Sequence, residues 1–285
     1  MATGILAPVE AQDWDKVEIK VQELRGGMYA LYGSGGNLGV SVGEDGVILV
    51  DDQYAPLTDK IKAAIAGISD APIRYVINTH FHGDHTGGNE NLGDAAVIVA
   101  HDNVRQRMSE GAFVKAFNMK MDPQPDVALP AITFNAEMSL HMNGQDTRII
   151  HVKNAHTDGD SIIHFRGANV IHMGDLMFNG MFPFIDVPNG GDVDGILKGL
   201  DLAIAAADDE TMVIPGHGMV TNKAGLVTYR NTLADLRGII EKLKAEGKTL
   251  EEVKAMSPFK DYEGKLVQFM DGWANEVAGF IYQSL

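Results

Sequence analysis

Asn78-Thr79-His80-Phe81-His82-Gly83-Asp84-His85-Thr86-Gly87-Gly88 holds four metal-capable side chains, His80, His82, Asp84 and His85, within six residues. Packing alone does not explain such a cluster. Histidines at i and i+2 do not share a helix face, so the segment reads as a strand end or a loop. The strand precedes it as Ile73-Arg74-Tyr75-Val76-Ile77, apolar and β-branched. The cluster therefore projects from the end of a buried strand, where α/β proteins commonly place their chemistry. Neutral imidazole and carboxylate are ligands that zinc accepts, about three or four to an ion, and the first reading is a metal site.

Three further candidate ligands follow β runs in the same way. His156 lies in Asn154-Ala155-His156-Thr157-Asp158-Gly159, Asp175 follows Ile171-His172-Met173-Gly174, and His217 sits in Pro215-Gly216-His217-Gly218. Each has glycine close by. With the first loop they make five histidines and two aspartates, enough donors for two ions.

The rest of the chain narrows the partners. An apolar share of 45% and a charged share of 22% are ordinary for a globular protein, and no apolar run approaches the ~18 residues of a membrane-spanning helix. Against 39 acidic residues stand 23 basic ones, a net charge of −16. Nucleic acid and anionic membranes are bound through Lys/Arg clusters, so both are excluded in favour of a small-molecule substrate. The nearest basic cluster, Arg237, Lys242, Lys244 and Lys248, is interleaved with Glu241 and Glu246 and reads as a solvated helix face. Cysteine is absent, which rules out disulfides, a thiolate nucleophile and Cys-ligated zinc. Residues 1–16 read as an N-terminal extension. Met1 to Gln12 lacks the basic and apolar regions of an intact signal peptide, but Val9-Glu10-Ala11 has the small-x-Ala form of a cleavage site. A periplasmic or secreted location is the expectation, with the cytoplasm as the alternative.

Residues 17–285 are expected to form one domain, since no linker divides them. Strands are expected over Val17 to Leu24, Met28 to Tyr32, Leu38 to Val42 and Val47 to Val50, the last two joined by a hairpin at Glu44-Asp45-Gly46. A helix opens at Pro56 and runs to about Ile68. Ala96 to Ala100 is a strand and Asp102 to Glu110 a helix. Phe113 to Pro130, with Pro123, Pro125 and Pro130, reads as a surface loop or lid. A second half in similar outline begins with the strand Ile132 to Phe134 and continues through Glu137 to Met142, Thr147 to Val152, Ser161 to Phe165 and Val170 to Met173. A helix from Asp194 to Ala207 leads to the strand Met212 to Ile214, and helices over Lys223 to Ala245, Leu250 to Met256 and Gly264 to Tyr282 form the tail. Strands then helix, twice over, predicts an α/β (α+β) architecture of two face-to-face sheets with helices outside.

The His-x-His-x-Asp-His motif, with the downstream His156, Asp175 and Gly216-His217-Gly218, resembles the metallo-β-lactamase superfamily from about Val17 to Gly218. The resemblance implies an αββα sandwich with the site along one edge of the sheets. It implies a first zinc on His80, His82 and His156 and a second on Asp84, His85 and His217, with Asp175 bridging the ions or binding the second alone. Asp51, at the end of the strand Val47 to Val50, matches a position that supports the metal loop from behind. Two such ions would lower the pKa of a shared water and polarise a substrate carbonyl, with Asp84 positioning the water. The surroundings of His156 and His164 look like the β-lactamases that carry a Cys on the second zinc. Here Asp175 stands in that place, as in hydroxyacylglutathione hydrolases. The lysine that those lactamases tend to carry three residues later is Phe178, and no Lys or Arg occurs between Leu176 and Val193. A binuclear zinc hydrolase of β-lactamase type follows, with thioester or lactone hydrolysis as the alternative. Met181, Phe182, Phe184 and Ile185 are expected to form an apolar wall beside the metals, suited to a hydrophobic acyl or lactam group.

The remaining histidines read as structural. His141, His164 and His172 lie within strands, and His101 and His151 flank strand ends, where support of a ligand is the other reading.

Overall fold

A computed structural model describes residues 12–285. The Val9-Glu10-Ala11 cleavage-site reading lies outside the described residues.

Four antiparallel strands come first: β1 (Lys20–Glu23), β2 (Met28–Tyr32), β3 (Leu38–Gly43) and β4 (Gly46–Val50). The Asp45-Gly46 turn between the last two is the hairpin its residues predict, with Gly43 opposite Gly46. Helix α1 (Thr58–Ala66) then carries the chain back to β5 (Ile73–Ile77), which pairs parallel to β4. Parallel pairing under helices buries a strand on both faces, and every residue of β4 is buried. Two single-turn helices follow, α2 (Gly83–Thr86) and α3 (Asn89–Leu92), then β6 (Val97–His101) and α4 (Asp102–Glu110).

The Phe113 to Pro130 stretch is more ordered than its prolines suggest. β7 (Ala112–Val114) and β8 (Met119–Met121) form a small antiparallel hairpin, and Val114 is buried. Strand β9 (Ile132–Phe134) does not open the second half as expected. It pairs parallel to β6 and completes the first, seven-stranded sheet. A non-local parallel partner leaves no trace in a three-residue strand.

The second sheet is built from β10 (Glu137–Met142), β11 (Gln145–His151), β12 (Ser161–Phe165) and β13 (Val170–His172). After α5 (Val193–Ala206) it gains β14 (Met212–Ile214) and the unpredicted β15 (Thr221–Asn222). The tail supplies α6 (Lys223–Ala245), α7 (Leu250–Ala255) and α8 (Trp273–Ser284). The last helix begins nine residues later than the expected Gly264 start; Gly264 and Gly272 both have positive φ, 82° and 79°, and hold the chain out of a helix until Trp273.

Three apolar layers stack through the molecule. Ile48, Val50, Ile77 and Val99 of the first sheet meet Ile149, Ile163, Phe165, Val170 and Ile214 of the second. Leu57, Ile61, Ile65 and Leu92 cover the outer face of the first sheet, and α5, α6 and α8 cover the second through Ile196, Leu200, Leu233, Leu236 and Val277. This is the αββα sandwich.

One close approach places the His156 segment. The Asp192 side chain caps α5 by accepting from Asp194 N and Gly195 N, and a Cβ on Gly195 would run into the carbonyl of Asn154. Gly195→Ala improves helix propensity by ~1 kcal/mol, yet the clash predicts a net loss of about 2 kcal/mol. A lowered urea midpoint with an unchanged slope is the expected result; a raised midpoint would show that the loop gives way.

Candidate metal centre

The first donors come from a reversal at the end of β5. After β5 the chain bends through Thr79, His80 and Phe81, and His82 (φ −61°, ψ 148°) then starts α2, whose single turn carries Asp84 and His85. His156 follows β11, Asp175 follows β13, and His217 follows β14, all at one end of the sandwich. The ligand-type atoms form two groups, each within 4.8 Å: His80, His82, His156 and Asp175, and Asp84, His85 and His217. Asp175 touches both. Its Oδ2 lies 3.6 Å from His156 Nε2 and 3.4 Å from His217 Nε2, and its Oδ1 lies 3.1 Å from His85 Nε2.

The outer ring nitrogens are fixed by acceptors. Thr79 Oγ1 donates to Asp51 Oδ2 (2.8 Å), so its contact with His80 Nδ1 (3.0 Å) has the imidazole as donor. His82 Nε2 donates to Asp186 Oδ2 (2.9 Å), and His156 Nδ1 to the Phe184 carbonyl (2.9 Å). A neutral imidazole with one nitrogen protonated presents a lone pair on the other. His82 Nδ1 thus faces His80 Nε2 at 3.1 Å and His156 Nε2 at 2.9 Å, three lone pairs converging on one point. A bound metal cation relieves that arrangement without turning a ring. Burial pushes the His80 pKa well below the usual histidine value and His156 down to about 4, keeping both in the neutral form that binds metal.

The second group is carboxylate-rich. Burial alone would depress His85 and His217, but Asp175 and Asp84 outweigh it, raising His85 well above its ordinary value and His217 to about 9. Burial works equally against Asp84 and Asp175, yet the facing imidazoles bring Asp84 down to about 2 and Asp175 well below the carboxylate range. His85 Nε2 and Asp175 Oδ1 are buried, close and still without a hydrogen-bond partner. Buried polar atoms are rarely left so, and two orphaned donors of metal-ligand type fit a divalent cation between them.

The expected support by Asp51 is present: Oδ1 accepts from Thr79 N (2.7 Å) and Oδ2 from His85 Nδ1 (2.7 Å). Other supports were not anticipated. Asp186 holds His82 and is itself held by Asn189 Nδ2 (2.7 Å). Asp160 accepts from both Thr157 N and Thr157 Oγ1 beside His156, and burial raises its pKa to about 7. His172 accepts from Gly174 N and donates to the Asn37 carbonyl, bracing the turn that carries Asp175. Gly36 and Gly216 are needed for space: a Cβ on the first would enter the His85 ring, and one on the second the Asp175 carboxylate.

Of the two readings for His101 and His151 the structural one holds, and the expected apolar wall changes. His101 and His151 support no ligand ring; they stack on each other at 3.6 Å and bind the carbonyls of Asn135 and Asp160. The apolar wall is largely core, since Phe182 and Ile185 are fully buried, and only Phe184 borders the centre, stacked on His82 at 5.6 Å. Phe178, in the place of the lactamase lysine, stacks on His217 at 5.1 Å.

Comparisons with known proteins give the family and the fold. A family model described as the metallo-beta-lactamase superfamily matches residues 31–217. The chain is 29% identical over 170 residues to a hydroxyacylglutathione hydrolase of Polaromonas sp. (59% of this chain, 57% of that protein). It is 24% identical over 181 residues to the 2,4-dinitroanisole O-demethylase subunit alpha of Nocardioides sp. (62% and 51%). It thus spans little more than half the length of these curated relatives. Among solved structures, a metallo-beta-lactamase from Pontibacter korlensis superposes with a TM-score of 0.61 at 15% identity, covering 76% of this chain and 99% of that one. The sec-alkylsulfatase Pisa1 from Pseudomonas sp. superposes at 0.65 and 17% identity, over 93% of this chain and 50% of its own. At such identities these structures speak for the fold.

Removing the Asp186 carboxylate frees the outer nitrogen of His82. Asp186→Ala is expected to weaken divalent-metal binding by roughly 10- to 100-fold, read by competition with a chromophoric chelator. Unchanged affinity would mean that His82 is oriented by packing against Phe184 alone.

Proposed function

The chain belongs to the metallo-beta-lactamase superfamily, and on that footing we propose that it is a binuclear zinc-dependent hydrolase of small carbonyl substrates. The observation that carries this reading is the convergence of three imidazole nitrogens beside a carboxylate-rich second group, with Asp175 shared between them. His80, His82 and His156 would hold one zinc, Asp84, His85 and His217 the other, and Asp175 both. Zinc in this setting lowers the pKa of water towards neutrality and polarises a carbonyl oxygen. The chain's own contribution is orientation. Asp84 is the most open of the seven side chains, 17% exposed, and its Oδ2 lies 3.4 Å from His217 Nε2. Its low pKa keeps it a hydrogen-bond acceptor, so it can hold the attacking water by one proton and aim its lone pair at the substrate.

Beside His217 the surface is apolar. Met219, Val267 and Met270 are 63%, 52% and 44% exposed, and Phe269 stands edge-on to His217 at 5.9 Å. The Asn179 side chain holds the Met219 carbonyl (2.8 Å), and Met181 pairs with Val267. A lip of this kind receives an apolar acyl group. With Phe178 in the lysine position the grip on a β-lactam carboxylate is missing, so lactam hydrolysis would be a weak activity. Thioesters and lactones, favoured by the similarity to a hydroxyacylglutathione hydrolase, are the second reading.

The zinc-loaded protein is expected to bind two equivalents per chain and to melt about 10 °C higher than after chelation, the effect of a ligand near 1,000-fold above its Kd. It should turn over at least one of a carbapenem, a cephalosporin, a glutathione thioester and an acyl lactone. Asp84→Ala should lower kcat by about 10²- to 10⁴-fold. Inactivity on all four substrates with both zincs bound, or full activity in Asp84→Ala, would overturn the reading.

A further inference from the structure

Tyr54 borders the candidate metal centre beside Asp84. It follows Asp51, Asp52 and Gln53, a segment pinned to the ligand loop by Asp52 N donating to the His85 carbonyl (3.0 Å) and by Gln53 Nε2 donating to the Gly36 carbonyl (2.7 Å). The ring is braced on one side by Trp14, centroids 5.2 Å apart. A methyl group built on Gly35 would lie 3.2 Å from Tyr54 Cε2 and 2.8 Å from Asp84 Cβ, so the hydroxyl-bearing end of the ring and Asp84 flank the same glycine. The charges that act on the hydroxyl are the carboxylates of Asp84 and Asp175, and no hydrogen bond to it is made among the described residues. The side chain is half-buried, and the oxygen is not sealed from solvent.

We propose that the Tyr54 hydroxyl is a substrate-binding donor of this site, giving a hydrogen bond to an oxygen of the substrate held against the metal centre. This rests on the hydrolase reading above. A phenol suits the position because it donates without bringing a positive charge that would compete with bound metal, and no Lys or Arg lies between Leu176 and Val193 to do so instead. A preorganised donor aimed at developing negative charge acts on kcat more than on KM. Pinning on both sides, by Trp14 and by the Asp51 segment, supplies that preorganisation.

Tyr54→Phe keeps the ring and its packing and removes only the oxygen. In the zinc-loaded full chain it is expected to lower kcat about 10²-fold with little change in KM, at an unchanged melting temperature. Calorimetry with phenylboronic acid, whose tetrahedral adduct mimics the oxyanion, should show an affinity about tenfold weaker than wild type, the worth of one such hydrogen bond. If Tyr54→Phe keeps full kcat and boronate affinity while Asp84→Ala is inactive, the donor is refuted and the hydrolase reading stands. If the wild type turns over no substrate, the hydrolase reading fails. The boronate comparison still decides Tyr54: weaker binding in Tyr54→Phe supports the donor, while equal binding, or none to the wild type, refutes it.

Discussion

One buried carboxylate ties the two donor groups of the candidate metal centre to the same strand end. Asp51 ends β4 in the left-handed region (φ 58°), fully buried, and reaches across to the backbone and side chain of Thr79 and to His85. An uncompensated charge in such a place costs several kcal/mol; here three donors satisfy it, one of them charge-assisted. The left-handed backbone costs a further ~1 kcal/mol and is what turns the carboxylate back towards β5. The same group fixes His80 through Thr79 and His85 directly, one donor of each metal group. Two parallel strands thereby acquire a shared, directional lock at the point where their hydrogen-bonded ladder ends.

The centre is otherwise an unstable collection of charges. Asp84, Asp175, Asp51 and Asp186 crowd around imidazoles that burial prefers neutral. Asp175 and Asp84 raise the pKa of both His85 and His217, and divalent ions would offset the same negative charge. The fold tolerates this because each group is held from behind, His82 by Asp186, His156 by the Phe184 carbonyl and the Asp175 turn by His172. Phe184 also joins the centre to the tail: it packs against Phe117 of the β7–β8 hairpin and against Trp273, whose Nε1 binds the Pro183 carbonyl. The late helix is thus part of the site's foundation.

How much of this was legible in the sequence followed from spacing. His80, His82, Asp84 and His85 stand out because no helix or strand period explains them, and His156, Asp175 and His217 because each ends a β run beside glycine. Asp51 was readable only through a family resemblance. Asp186 was hidden among apolar neighbours in Phe184-Ile185-Asp186-Val187, where nothing marks a lone carboxylate as the partner of a histidine 104 positions away. His172 reads as structural and is, though the turn it braces carries Asp175. The sheet membership of β9 and the hairpin over Ala112–Met121 depended on contacts with distant strands and aromatic rings, which local pattern does not encode. Local pattern places the start of α8 at Gly264, whereas the positive φ of Gly264 and Gly272, which a sequence does not display, keeps the chain out of a helix until Trp273.

Gly36 and Gly216 carry no functional group, yet each is the floor on which a donor rests. A mutational drift that adds a single methyl at either position would displace His85 or Asp175 while leaving all seven candidate donors in the sequence. Counting ligands therefore overstates how many chains of this kind remain chemically competent. A lineage can lose its metal through its empty spaces, and a census of working copies has to read the glycines together with the histidines.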